Sequence, residues 1–200
     1  MTNIFTTLSS SHVVQAIIVG AVLAFLSAQV LMSVAVRAMT TTVNRWNTTM
    51  KAGQPGNGIV LRAAFARSLP AVNVVEEAAY WTTTKDGAGR TLNGQHEYVL
   101  QFPAGQLPPN DAFWSLTMND VVGFMVRNPS ERYSVGSHSG LVPNADGSII
   151  IYLQRTAPAG HEANWLPAPA GNFKLMLRAY LPGRAVLDGA YHVPPVEKVR

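Results

Sequence analysis

The sequence predicts a mainly β protein: an antiparallel β-sandwich or jelly-roll-like domain with short helices at its entry, preceded by one transmembrane helix. Three observations predict it. The first 36 residues carry no Lys, Arg, Asp or Glu, and Val13 to Val36 is a 24-residue apolar run interrupted only by small residues, Gln15 and Gln29. From Trp81 onward, turn dipeptides recur at Asp86-Gly87, Asn93-Gly94, Asp146-Gly147 and Asp188-Gly189. Between them, apolar side chains alternate with a period of two, the signature of strands with one buried face.

The apolar run comes first. At about 1.5 Å per residue it gives roughly 36 Å of helix, enough to cross a hydrocarbon core of ~30 Å with some tilt. A cleaved signal peptide needs a basic leading region and a shorter apolar stretch. The leading "MTNIFTTLSSSH" has no basic side chain. Residues 1–12 therefore read as a tail and 13–36 as a single membrane span. Arg37, Arg45 and Lys51 flank only its C-terminal side, which by the positive-inside rule leans the following domain toward the cytoplasm, although long domains translocate largely regardless of charge.

Within the span, Ala16, Gly20, Ala24 and Ala28 recur every four residues. On a helix of 3.6 residues per turn they form one slowly winding stripe. Small side chains let another helix approach closely, and in lipid such packing is among the few drives to association. Gln15 and Gln29 could add interhelical hydrogen bonds. The partner would be a second copy or another transmembrane subunit; the plainer reading is an anchor surrounded by membrane lipid.

Residues 37–58, rich in Thr and Asn and then in Gly and Pro, read as a juxtamembrane connector, with Trp46 suited to the bilayer interface. Residues 59–200 read as one β-rich domain, of a size that buries a single core. At its entry Leu61, Ala64, Phe65 and Leu69, then Val72, Val75 and Ala79, have helical spacing on either side of Pro70. This predicts two short helices, because proline cannot continue the hydrogen-bond ladder. The strands follow. In "EYVLQF" Tyr98, Leu100 and Phe102 share a face, and in "FKLMLRAY" Phe173, Leu175, Leu177 and Ala179 do. "AFWSLTMND" alternates aromatic and hydroxyl positions, and "SIIIYLQ" is continuously apolar, as a strand covered on both faces would be.

Composition narrows the function classes. The net charge of +4 comes from 15 basic and 11 acidic residues spread along the chain, not from a basic stripe, so nucleic-acid binding is not expected. The absence of cysteine excludes disulfides, thiolate nucleophiles and Cys-based metal sites. Five histidines, His12, His96, His138, His161 and His192, show no H-x-x-x-H or H-E-x-x-H spacing, so no metal is expected. No glycine-rich phosphate loop precedes a helix, and no cofactor is implied.

Two sets of residues carry possible chemistry. "GSHSG" at 136–140 places His138 between serines but lacks the nucleophile-elbow order, which needs Ser at the centre. Among the acids Asp111, Asp120, Glu131 and Asp146, only Asp120, beside Asn119 after a predicted strand, stands out as a candidate. Trp114, Arg127, Arg132, Tyr133 and Trp165 could line a sugar or anion cleft, since aromatic faces stack on sugars and guanidinium forks grip anions. The competing structural reading puts Trp114 in the core and makes the arginines loop braces.

The stretches "FWSLTMNDVVGFMVRNPSERYSVG", "NADGSIIIYLQ", "NWLPAPAGNFKLMLRAYLP" and "LDGAYHVPPVEKV" occur in this order between about Val74 and Val199. They resemble the bacterial domain-of-unknown-function family 1214. The resemblance implies a mainly β, jelly-roll type architecture and frequent association with a domain of family 1254. It implies no reaction. Where members commonly have an aromatic before the "GF" step, this chain has Asn119 and Asp120.

Together these observations predict a single-pass protein of the bacterial inner membrane acting as an accessory or scaffolding subunit of a larger membrane assembly. The alternative is a membrane-tethered envelope enzyme or carbohydrate-binding domain, with a cleft drawn from Trp114, Asp120, Arg132, Tyr133, His138 and Trp165.

Overall fold

In the computed structural model, residues 11–68 and 72–199 are described. Leu69 and Pro70, at the predicted helix junction, lie outside the described residues, as does most of the tail. The chain forms two units. Residues up to 39 together with 55–71 make one, and 40–54 together with 72–200 make the other.

The first unit is helical. Helix α1 (His12–Met39) covers the predicted span with a margin at each end and contains no buried residue. Ser11 caps it, its hydroxyl accepting the Val14 N–H at 3.2 Å. The hydroxyls of Ser27 and Ser33 donate back to the carbonyls of Ala24 and Gln29, so neither leaves an unpaired polar group. Helix α2 (Ile59–Ser68) is the first of the two predicted entry helices. Its Arg67 guanidinium donates to the Gln29 side-chain carbonyl of α1.

The second predicted entry helix does not form. Residues 74–77 make a turn, and Ala78–Thr83 is a strand, β3. The connector also carries structure that its composition does not announce. Strands β1 (Thr41–Val43) and β2 (Trp46–Thr48) form a hairpin whose two turn residues, Asn44 and Arg45, both have positive φ, the type I′ geometry that matches strand twist. Trp46, expected at a bilayer interface, is instead 1% exposed in the core, and its indole N–H donates to the Pro194 carbonyl at 2.7 Å.

The remaining strands are β4 (Tyr98–Phe102), β5 (Asn110–Asp120), β6 (Ser134–Gly136), β7 (Ile149–Gln154), β8 (Trp165–Pro167), β9 (Phe173–Pro182) and β10 (Val196–Lys198). One sheet runs β1-β2-β3-β9-β5-β6 and the other β10-β4-β7-β8, and every pair is antiparallel except β7 with β8. In the first sheet Trp81, Leu177 and Leu116 sit side by side on β3, β9 and β5; in the second Val196, Leu100 and Ile151 align on β10, β4 and β7. All six are buried in one core shared by the two sheets. Tyr98 against Phe173 and Phe102 against Trp114, with ring centroids 5.9 and 5.6 Å apart, close that core between the sheets. Asp188-Gly189, read as a strand turn, instead ends a single helical turn, α3 (Arg184–Leu187), with Gly189 in the left-handed region after it.

Candidate functional site

The sequence-predicted residues are distributed over several places. Trp114 is 3% exposed, on the inner face of β5. Asp120 ends that strand, and its Oδ1 accepts the N–H groups of Val122, Gly123 and Phe124 at 2.9, 2.7 and 2.9 Å. Those bonds, from Gly123 and Phe124 foremost, hold its carboxyl below the usual range, and the Lys174 charge adds to them. The carboxylate thus fixes a tight loop that holds Val121, Val122, Phe124 and Met125 in solvent.

Arg132 donates to the carbonyls of Glu162 and Ala163 at 2.9 and 2.5 Å, tying its loop to the 3-10 turn Glu162–Asn164. Burial lowers its pKa, yet a guanidinium stays protonated throughout the ordinary pH range. Arg132 and Tyr133 share a shallow depression of about 450 Å³ with Ser139. His138, next in sequence to Ser139, packs its ring 5.7 Å from that of Phe113. The serines around it serve the backbone: the Ser137 hydroxyl accepts the Trp114 N–H at 3.0 Å, and that of Ser139 accepts the Gly136 N–H at 2.9 Å. Gly136 is required by close approach, because a Cβ there would lie 2.1 Å from the Trp114 carbonyl oxygen. The "GSHSG" pattern therefore has a full structural account as the seam between β5 and β6.

Trp165 belongs to a larger cleft of about 840 Å³, built by residues 94–97, 127–130, 154–157 and 165–170 and meeting the shallow depression at Ser130. The parallel pairing of β8 with β7, with Trp165 opposite Tyr152, brings 154–157 beside 165–170, and the Gly94 N–H, donating to the Gly171 carbonyl at 3.0 Å, ties in the segment 94–97. The indole N–H of Trp165 donates to the Gln154 carbonyl at 2.8 Å, which fixes the ring plane. Gly94 lets the 94–97 segment pack directly on the segment that carries Trp165, since a Cβ at that position would fall 1.6 Å from the Pro169 carbonyl oxygen. Asn128 is pinned in its own loop, accepting from the Arg132 N–H and the Ser130 hydroxyl and donating to the Arg132 carbonyl.

The electrostatics of this cleft are one-sided. Arg127, Arg155 and His96 line it with Glu97 as its single acid. The structure thus brings Arg127 and Trp165 together, leaves Arg132 and Tyr133 on the neighbouring depression, and sends Trp114 and Asp120 elsewhere. Arg155 escaped the sequence reading and His96 entered it only as a metal-ligand candidate, since no local pattern marks a convergence of four segments. Among the described residues, no three His, Asp or Glu side chains gather in a way that could hold a metal ion.

Comparison with known proteins places the domain. A protein of Vibrio parahaemolyticus designated VPA0106 has a similar structure, with TM-score 0.61 and 27% identity over 70% of this chain and 35% of its own. The chain therefore spans about a third of that protein's length. An uncharacterised protein of Burkholderia cenocepacia aligns over 95% of this chain and 43% of its own at 15% identity and TM-score 0.41, too slight a likeness to bear on the fold. No curated protein matches the sequence. The model of the family described as "Protein of unknown function (DUF1214)" matches residues 77–184, from the approach to β3 through β9 to the start of α3. With more than half of its residues inside that match, including both inner strands that flank β9, the chain belongs to the DUF1214 family.

Proposed function

We propose that this chain is a single-pass protein of the bacterial inner membrane that serves as an accessory or scaffolding subunit of a larger membrane assembly. The observation that carries the reading is α1: 28 residues, strongly apolar, with none buried. Soluble monomers rarely expose apolar patches beyond a few hundred square ångströms, and lipid is the environment in which such a surface costs nothing. Ala16, Gly20, Ala24 and Ala28 are all exposed, and a Cβ added at Gly20 would meet nothing within 4 Å. The stripe is thus free to receive a helix of another subunit or of a second copy, with lipid around the rest.

The test is extraction from the native membrane in mild detergent, followed by size separation and mass spectrometry of what stays bound. The reading expects resistance to alkaline washing and a stoichiometric set of membrane proteins, lost when Gly20→Ile and Ala24→Ile are combined. Release by alkaline wash would overturn the span, and an unchanged set of companions in the double variant would overturn docking through the stripe.

A further inference from the structure

We propose that the cleft beside Trp165 binds an acidic carbohydrate, an oligosaccharide carrying carboxylates, with Arg127 and Arg155 gripping a carboxylate and the indole carrying a sugar ring. The inference needs only the folded β domain and stands whether or not α1 docks on other helices.

The first support is an imbalance among the arginines. Arg67, Arg90, Arg132, Arg178 and Arg184 each hold a hydrogen bond within the chain. Among the described residues, the guanidinium groups of Arg37, Arg45, Arg62, Arg127 and Arg155 hold none, and of these five Arg127 and Arg155 open onto one cleft from different segments. Two unengaged forks with Glu97 as the single local acid make a net positive site, and the planar fork of arginine matches a carboxylate through paired N–H bonds.

The second support is Trp165. Trp46, Trp81 and Trp114 are 1–3% exposed, whereas Trp165 is half-buried at the cleft wall. Because its N–H is already committed to the Gln154 carbonyl, the ring has no donor left for a ligand. What it offers is a rigid apolar face with a neighbouring floor of Pro167 and Ala168. Such a face suits the C–H side of a pyranose. The Gln95 carboxamide and the acceptor oxygen of the Ser130 hydroxyl, which also line the cleft, match the hydroxyl rim of the same ring.

Size and shape agree. A cleft of about 840 Å³ lies toward the upper end of the ~300–1,000 Å³ usual for ligand sites, and it is open at the surface, so a chain of sugars can run through it.

The experiment titrates the full-length protein in detergent with tetragalacturonate, neutral cellotetraose and inorganic phosphate, read by tryptophan fluorescence and by calorimetry. Saturable binding of tetragalacturonate is expected, with cellotetraose and phosphate each weaker by about tenfold or more, the loss of roughly one charge-assisted contact. Arg127→Gln and Arg155→Gln should each weaken tetragalacturonate by a similar factor, and Arg127→Lys, which keeps charge but loses the fork, by less. Trp165→Phe should abolish the fluorescence response while calorimetry still registers weakened binding. Arg184→Gln, outside the cleft, should leave affinity as it was. Absence of saturable binding, equal affinity for cellotetraose or phosphate, or unchanged affinity in folded Arg127→Gln and Arg155→Gln proteins would each overturn the proposal.

Discussion

Asn164 and Val142 exchange two hydrogen bonds of 2.8 Å: the side-chain carbonyl accepts the Val142 N–H, and the amide donates to the Val142 carbonyl. The same amide donates to the Ile150 carbonyl at 2.9 Å. At 5% exposure, one side chain thus replaces a missing strand partner for the segment that leads into β7. Asn164→Ala removes three hydrogen bonds to the backbone of Val142 and Ile150, which at about 0.5–1.5 kcal/mol each gives an expected loss of about 2–3 kcal/mol. Urea denaturation monitored by circular dichroism measures it. Asn164→Asp, which retains the acceptor but sets a negative charge against two carbonyls, is expected to cost more.

Gly94 and Gly171 make a matched pair of tests. A Cβ at Gly94 collides with the Pro169 carbonyl, whereas one at Gly171 meets nothing within 4 Å. Gly94→Ala therefore forces backbone apart at the cleft and should destabilise by about 2 kcal/mol or more, while Gly171→Ala should stay within about 0.5 kcal/mol. Thermal denaturation of the two variants, side by side, checks the contrast.

Asp86 predicts an acid limb in stability. Its side chain is 1% exposed, and its two oxygens accept the Arg90 N–H and Nε–H, each at 2.8 Å. Burial opposes ionisation, but the Arg90 hydrogen bonds and charge outweigh it, and the carboxyl titrates below its ordinary 3.8. A group with a depressed folded pKa contributes stability that is complete above the unfolded value and is lost as pH falls through the folded one. Asp86→Asn should lower stability near neutrality by about 1–2 kcal/mol, the worth of a charge-assisted bond, and flatten the decline below about pH 4 relative to the parent. Denaturant midpoints measured across that pH range for both proteins give the comparison.

The loop after β5 depends on one carboxylate. Asp120→Ala removes the acceptor of three backbone N–H groups, so the amides of Val122 and Gly123 should exchange with solvent about tenfold faster or more, as expected for local opening. The Leu116 amide, deep in the sheet, should be unaffected. Hydrogen exchange read by mass spectrometry resolves the two segments.

Much of the β architecture was legible because its strands bury one face only. Phe173, Leu175, Leu177 and Ala179 were assigned one side of a strand by alternation, and all four are fully buried along β9. Tyr98, Leu100 and Phe102 behave alike on β4. The misread region shows the limit of local pattern. Val72, Val75 and Ala79 have helical spacing, yet Ala79 pairs with Ala179, a hundred residues on, and such non-local pairing overrides a weak periodicity. Strands β1 and β2 have three residues each, too few to show a period, and their turn lacks the glycine that usually advertises a hairpin. In the candidate site, Trp165 and Arg127 were visible as residue types. Arg155 became relevant only once the parallel pairing of β7 and β8 brought its segment beside theirs.

The path of the chain between its two units bears on how such a protein can change over evolutionary time. The sheet receives residues 40–54, loses the chain to the helical unit, and regains it at 72. Trp46 therefore enters the core from a stretch that precedes the family match, and it is held there by Pro194, which follows that match. A recombination event joining a new leader at residue 77 would deliver a sheet without its edge hairpin and with an indole-sized void. A new leader joined before residue 40 keeps both the hairpin and the indole, and helix α2, whose stretch lies between residues 54 and 72, then travels with the sheet.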